Sequence, residues 1–142
     1  MIQIVRNIVA AIAGTLAGGV SIALVQGING RLYPPPPGLD WKNTEAVAAY
    51  AKTLPAGAFL VVLASYAVGV TLGAWLAGKL SANFPNRQGI IVTALFFIAS
   101  LMNLFALPHP TWFWVANLVL VPAAGWLALR LIGPDKPAES AG

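Results

Sequence analysis

The chain is poor in charged residues. Of its 142 residues only eight are Lys or Arg and four are Asp or Glu, which together make up 8% of the sequence. A soluble domain carries about 25% charged residues, and a fold of this size could not cover its surface with so few. Hydrophobic residues make up 58% of the chain, and its mean hydropathy is +0.79. The composition therefore indicates one domain that lies within a membrane.

Cysteine is absent, which excludes disulfides, thiolate metal sites and cysteine nucleophiles. The single histidine, His109, stands between two prolines, and a zinc site needs three or four protein ligands. We interpret His109 as a turn residue, because the prolines on both sides favour a tight turn. The alternative, a membrane enzyme, would need His109 close to Asp40 or Glu45. The sequence therefore predicts a protein that is not an enzyme and holds no cofactor or metal.

No acidic residue and no lysine lies deep within any of the long apolar segments. Ion-coupled carriers normally place such a residue within a span, so the absence counts against a proton-coupled carrier. A pore or a binder of neutral lipid stays possible. The net charge of +4 is dispersed along the chain, whereas nucleic-acid binding needs clustered basic residues. We therefore expect no nucleic-acid partner.

Four segments are apolar over about 20 residues, the length that a spanning helix needs. These predicted spans cover approximately residues 4–26, 56–80, 89–107 and 111–132. The first is longer than a signal-peptide core of roughly 7–15 residues. We therefore expect it to stay in the protein, although Ser21 and Ala23 leave cleavage as an alternative.

The connections between the last three spans are short, so neighbouring spans should be antiparallel. The predicted fold class is all-α: an integral membrane, up-down four-helix transmembrane bundle. The bundle domain covers 1–134, and 135–142 is predicted to be a disordered cytoplasmic tail.

Basic residues near the span ends predict the orientation of the bundle. One side holds five of them, and the other holds three. The side with five basic residues holds Arg6, Lys79, Arg87, Arg130 and Lys136. The side with three holds Arg31, Lys42 and Lys52. The positive-inside rule then predicts a multi-pass protein of the bacterial inner membrane with both termini in the cytoplasm.

The segment between the first two spans differs from the other connections. It contains the run PPPP at 34–37, which predicts stiff polyproline II structure without internal hydrogen bonds. Asn43 or Thr44 can then cap a short helix with Glu45 in its first turn and Lys52 in its last. This amphipathic extracytoplasmic helix should lie on the membrane surface or on the bundle. The 31–54 segment is either an arm that docks a partner or a simple connector.

Small residues recur at every fourth position in two spans. The two rows consist of Gly14 and Gly18 in the first span, and Ser65, Gly69, Gly73 and Ala77 in the second. Small side chains let helix backbones approach closely within a membrane. We expect these rows to be helix-packing surfaces that face each other or face a copy in a second subunit.

Neutral polar residues form a second pattern, because all four spans carry them at a similar depth towards the predicted outer side. The candidate polar cluster consists of Gln26, Tyr66, Ser100, Asn103 and Asn117. It either lines a cavity that binds a small neutral solute or a lipid headgroup, or forms a buried network between helices.

The four-span layout, with the segments LPHPTWFW and GAWLAGKL, resembles small uncharacterised bacterial inner-membrane proteins. The resemblance covers architecture and implies no functional residue. We expect a non-enzymatic accessory or structural subunit, or an oligomerising bundle packed through its glycine-rich faces. The alternative is a pore or carrier for a small neutral solute or lipid. The expected partners are membrane lipids, further copies of the chain or a larger membrane complex.

Overall fold

The structure of the chain is a computed structural model that describes residues 1–135. This part of the chain folds into α-helices, and no strand occurs in it. The helices are α1 (Ile2–Leu32), α2 (Thr44–Thr53), α3 (Ala56–Leu80), α4 (Pro85–Ala106) and α5 (Thr111–Ile132). All except α2 are long and apolar enough to cross a membrane, with mean hydropathies of 2.2, 2.0, 2.2 and 1.8 in chain order. The predicted all-α, multi-pass membrane fold is confirmed.

Two helices extend beyond the predicted spans. α1 continues to Leu32 rather than ending near residue 26, because Asn29 still has a partner there: its Nδ2 donates to the carbonyl oxygen of Ala58 at 3.2 Å. α4 starts at Pro85 rather than near residue 89, since proline suits the first helical position, where the N–H is not needed. Apart from Asp135, the predicted tail lies outside the described residues.

Helix α3 lies at the centre of the bundle. It packs against α1, α4 and α5, whereas α1 and α5 lie on opposite sides of the α3–α4 pair and share no contact within residues 1–135. In the most apolar part of α3, 39% of the residues are buried, against 17% in α1. The outer face of α1 consequently presents large apolar side chains to the surroundings along its whole length.

The α1–α3 pair is antiparallel and in contact over most of its length. At one end the Ser81 hydroxyl donates to Asn7 Oδ1 at 3.0 Å. At the other end Asn29 bonds to Ala58. Because an α-helix rises 1.5 Å per residue, the two hydrogen bonds are separated by about 33 Å along α1. We call the end near Asn7 the loop end, after the 81–84 loop, and the other the α2 end.

The core changes in side-chain size from one end to the other. Near the α2 end it is built from the large residues Phe59, Leu63, Leu104 and Phe113. Near the loop end it is built mainly from small ones, namely Ala74, Ala77, Val92 and Ala128. Small side chains let helices approach closely, so the loop end is where the backbones can pack most tightly.

The 33–55 segment lies against the α2 end. The predicted proline run is shorter than expected, because Pro37 and Gly38 already form a turn in which Leu39 N–H donates to Pro36 at 3.2 Å. Gly38 has φ +77°, which favours glycine. Asn43 is confirmed as the cap of α2, since its side chain accepts from two backbone N–H groups, those of Glu45 and Ala46.

Side chains at the end of α2 and just after it hold this segment at the α2 end of the bundle. The Tyr50 hydroxyl donates to the carbonyl oxygen of Tyr33 at 2.9 Å, and Ala51 is buried. Leu54 packs onto the cluster of large core residues. These contacts hold the end of α2 near the bundle, and the position of this helix relative to the membrane surface stays a prediction.

Candidate functional site

The two rows of small residues lie against each other within the chain. A Cβ atom added at Gly18 would lie 2.5 Å from the carbonyl oxygen of Gly69, and one added at Gly69 would lie 2.7 Å from that of Gly18. Gly14 and Gly73 form the same reciprocal pair, in which a Cβ at Gly73 would lie 2.6 Å from the Gly14 oxygen. Non-bonded atoms normally approach to about 3.5 Å, so neither pair has room for a side chain.

The remaining members of the second row face α1 as well. Ala77 lies next to Gly14, because a Cβ at Gly14 would be 2.7 Å from that of Ala77. Ser65 is fully buried, and its hydroxyl is 3.4 Å from Gln26 Nε2, a long hydrogen bond. Ser65, Gly69, Gly73 and Ala77 thus form one continuous contact with α1.

A third helix uses the same surface. The ring of Phe96 on α4 lies over the glycine pairs, and its Cζ would be 2.7 Å from a Cβ at Gly18. The glycines therefore admit both the α3 backbone and an aromatic ring from α4. Phe96 could not be identified from the sequence, because nothing distinguishes a phenylalanine that packs on another helix from the other apolar residues of a span.

The predicted polar cluster separates into three pairs, each of which joins two helices. Gln26 and Ser65 join α1 to α3. Asn103 Nδ2 donates to the Tyr66 hydroxyl at 3.0 Å and joins α4 to α3. Asn117 Nδ2 donates to Ser100 Oγ at 3.1 Å and joins α5 to α4. All five predicted residues are accounted for by these contacts between neighbouring helices.

The Ser100–Asn117 pair is the most buried of the three. Asn117 is 0% exposed, and Ser100 is 4% exposed. The Ser100 hydroxyl donates to the Phe97 carbonyl oxygen at 2.8 Å, while Asn117 Oδ1 has no partner. A buried acceptor without a donor costs roughly 1–3 kcal/mol. Chemically, this atom can accept one hydrogen bond from a water or from a polar solute.

His109 lies in the α4–α5 turn as expected. Its Nδ1 is 2.8 Å from the Leu107 carbonyl oxygen, and its ring stacks on Phe113 with centroids 4.7 Å apart. The ring also meets Phe59 edge-on. Within residues 1–135, no group of three or more His, Cys, Asp or Glu side chains is placed to hold a metal ion.

The loop end contains a polar network that the sequence analysis did not identify. Asn7 Nδ2 donates to Asn83 Oδ1 at 2.9 Å. Asn7 Oδ1 accepts from the Ser81 hydroxyl and the Ala82 N–H. Arg6 Nε donates to the Leu80 carbonyl oxygen at 3.0 Å, one of the carbonyls that a helix C-terminus leaves unpaired. Residues 3–7 thus secure the end of α3.

We expect Gly18→Ala to destabilise the bundle and Gly19→Ala to be neutral or slightly stabilising. The methyl group at position 18 meets a backbone oxygen and Phe96, and overpacking of this kind costs about 1–3 kcal/mol. At Gly19 a Cβ meets nothing within 4 Å, and alanine favours the helix. Reversible unfolding in mixed micelles with increasing sodium dodecyl sulfate measures both. A larger loss at position 19 than at position 18 would contradict the described α1–α3 contact.

The chain was compared with protein-family models, with curated proteins and with solved structures, and nothing in any of the three comparisons matches it.

Proposed function

We propose that the chain is a small non-enzymatic integral membrane protein that acts as a structural or accessory subunit of a membrane assembly. The observation that carries this proposal is that three pairs of polar side chains within the spans form hydrogen bonds between neighbouring helices. Polar contacts of this kind hold membrane bundles together at about 0.6 kcal/mol each. A scaffold held in this way uses its polar groups internally and offers its surface to partners.

The 31–54 segment is the surface that we assign to a partner. Its Trp41 is 65% exposed and meets Tyr50 edge-on at 6.3 Å, and the Tyr50 hydroxyl in turn donates to the carbonyl oxygen of Tyr33 at the end of α1. Exposed aromatic residues on a rigid support are typical anchors of protein interfaces. The glycine rows are occupied by the α1–α3 contact, so a second copy would have to use another face.

Site-specific photo-cross-linking in native membranes tests this assignment. A photoreactive residue replaces Trp41 in one variant and Val119 in the other, two positions that are both 65% exposed. We expect a discrete protein adduct from position 41 and none from position 119, which faces outward from α5. Native mass spectrometry after gentle detergent extraction supplies the second measurement. A monomer without partner, together with no adduct from position 41, would contradict the proposal.

A second candidate, a pore or carrier for a small neutral solute, is favoured by one specific observation. Asn117 Oδ1 is buried in the bundle without a donor, as expected of an atom that meets a passing solute or a water. Stopped-flow light scattering from proteoliposomes in glycerol or urea gradients separates the two functions. We expect shrinkage rates equal to those of empty vesicles, for the wild type and for Asn117→Leu. A raised rate that Asn117→Leu abolishes would favour the pore.

We also propose the bacterial inner membrane as the location, with both termini and the 81–84 loop in the cytoplasm. The distribution of Lys and Arg supports this orientation. Because the chain has no cysteine, Lys42→Cys and Pro134→Cys each introduce a single thiol. A membrane-impermeant maleimide should label position 42 in intact spheroplasts and position 134 only after permeabilisation. The opposite pattern would contradict the orientation.

A further inference from the structure

A groove runs between the first half of α1 and the start of α4 at the loop end. Its volume is ≈ 430 Å³, within the range of about 300–1,000 Å³ that small-molecule sites occupy. It belongs neither to the small-residue contact nor to the three polar pairs. Because its walls come from two spanning helices and the adjoining loop, it extends from the level of the loop into the apolar depth of the bundle.

The outer part of the groove is polar and carries a positive charge. Asn7, Asn83 and Arg87 line it, and the Arg87 guanidinium carbon lies 5.9 Å above the Phe84 ring. No Asp or Glu is among the lining residues. At this end of the bundle Asp135 accepts from the Asn86 N–H, but Asn86 lines a different cleft, between α4 and α5. The outer groove therefore favours an anion.

The inner part of the groove is apolar. Ile8, Ile12 and Ile91 line it, and the helical rise places Ile12 about 7.5 Å further along α1 than Asn7. Further along, Phe96 lies against Gly18 and brings α4 into contact with α1. The groove is thus a wedge that is open and polar at the loop and narrows to an apolar floor.

We propose that this groove binds one phospholipid with an anionic headgroup. The order of polar and apolar walls matches a lipid placed as in a bilayer, with its phosphate beside Arg87 and its acyl chain along the isoleucines. Arginine suits a phosphate because its guanidinium offers several N–H donors in one plane. The inference is independent of the proposed structural function, since it rests on this groove alone.

The headgroup contact is tested by native mass spectrometry of the purified protein in detergent micelles. The probes are phosphatidylglycerol and phosphatidylcholine with identical acyl chains. Arg130→Gln is the matched control for Arg87→Gln, because Arg130 also lies over an aromatic ring, that of Trp126, at 5.0 Å, and does not line the groove. We expect the wild type to bind phosphatidylglycerol about tenfold more tightly than phosphatidylcholine. Arg87→Gln should remove this preference, and Arg130→Gln should retain it.

The acyl-chain contact is tested with two tryptophan variants on α1. Ile8 and Val9 are both 55% exposed, but only Ile8 lines the groove. Ile8→Trp should fill the groove and weaken phosphatidylglycerol binding about tenfold, whereas Val9→Trp should stay within about twofold of the wild type. Circular dichroism and the Tm of each variant establish that it is folded.

Four results would overturn the proposal. Equal losses in Arg87→Gln and Arg130→Gln would indicate general attraction between charges rather than a site. Displacement of the lipid by an equal concentration of sn-glycerol 3-phosphate would indicate a phosphate site that needs no acyl chain. Unchanged lipid binding in Ile8→Trp, or a dimer in which cross-links place this groove at the subunit interface, would assign it to another occupant.

Discussion

The packing of the bundle depends on the contact between α1 and α3, in which glycines face backbone carbonyl groups. No hydrophobic effect drives helices together in lipid, so close approach and dispersion must supply the attraction. Gly18 and Gly69 lie so close that each leaves no room for a methyl group opposite. The approach also opens the surface that the Phe96 ring occupies, so the position of α4 depends on the same contact.

The polar pairs complement this packing without replacing it. Each pair joins two spans that follow one another in the chain, α1 to α3, α3 to α4 and α4 to α5. The energies expected for such bonds in membranes are small. Their directionality contributes more to the structure than their energy does, because a hydrogen bond fixes the rotation of each helix about its own axis. Apolar packing alone defines that rotation less well.

Local features of the fold could be predicted from the sequence, whereas pairings between distant residues could not. Apolar length defined the four spans, and the cap of α2 followed from Asn43 and its neighbours. Periodicity showed which residues share a helix face, but it does not identify the helix that packs against that face. The glycine rows therefore left two possible partners open. The role of Asn7 was missed for the same reason, because its partners are more than 70 residues away in the chain.

The hydrogen bonds at the two ends of the α1–α3 pair have a mechanical consequence. Asn7 holds α1 to Ser81, and Asn29 holds it to Ala58, about 33 Å apart along the helix, close to the roughly 30 Å of a bilayer's hydrocarbon core. Sliding one helix along the other would break both bonds, so the two helices keep a fixed register and the pair keeps a fixed length. In a thinner membrane it must tilt as one body or thicken the lipid around it. The chain therefore matches membranes of one thickness better than others.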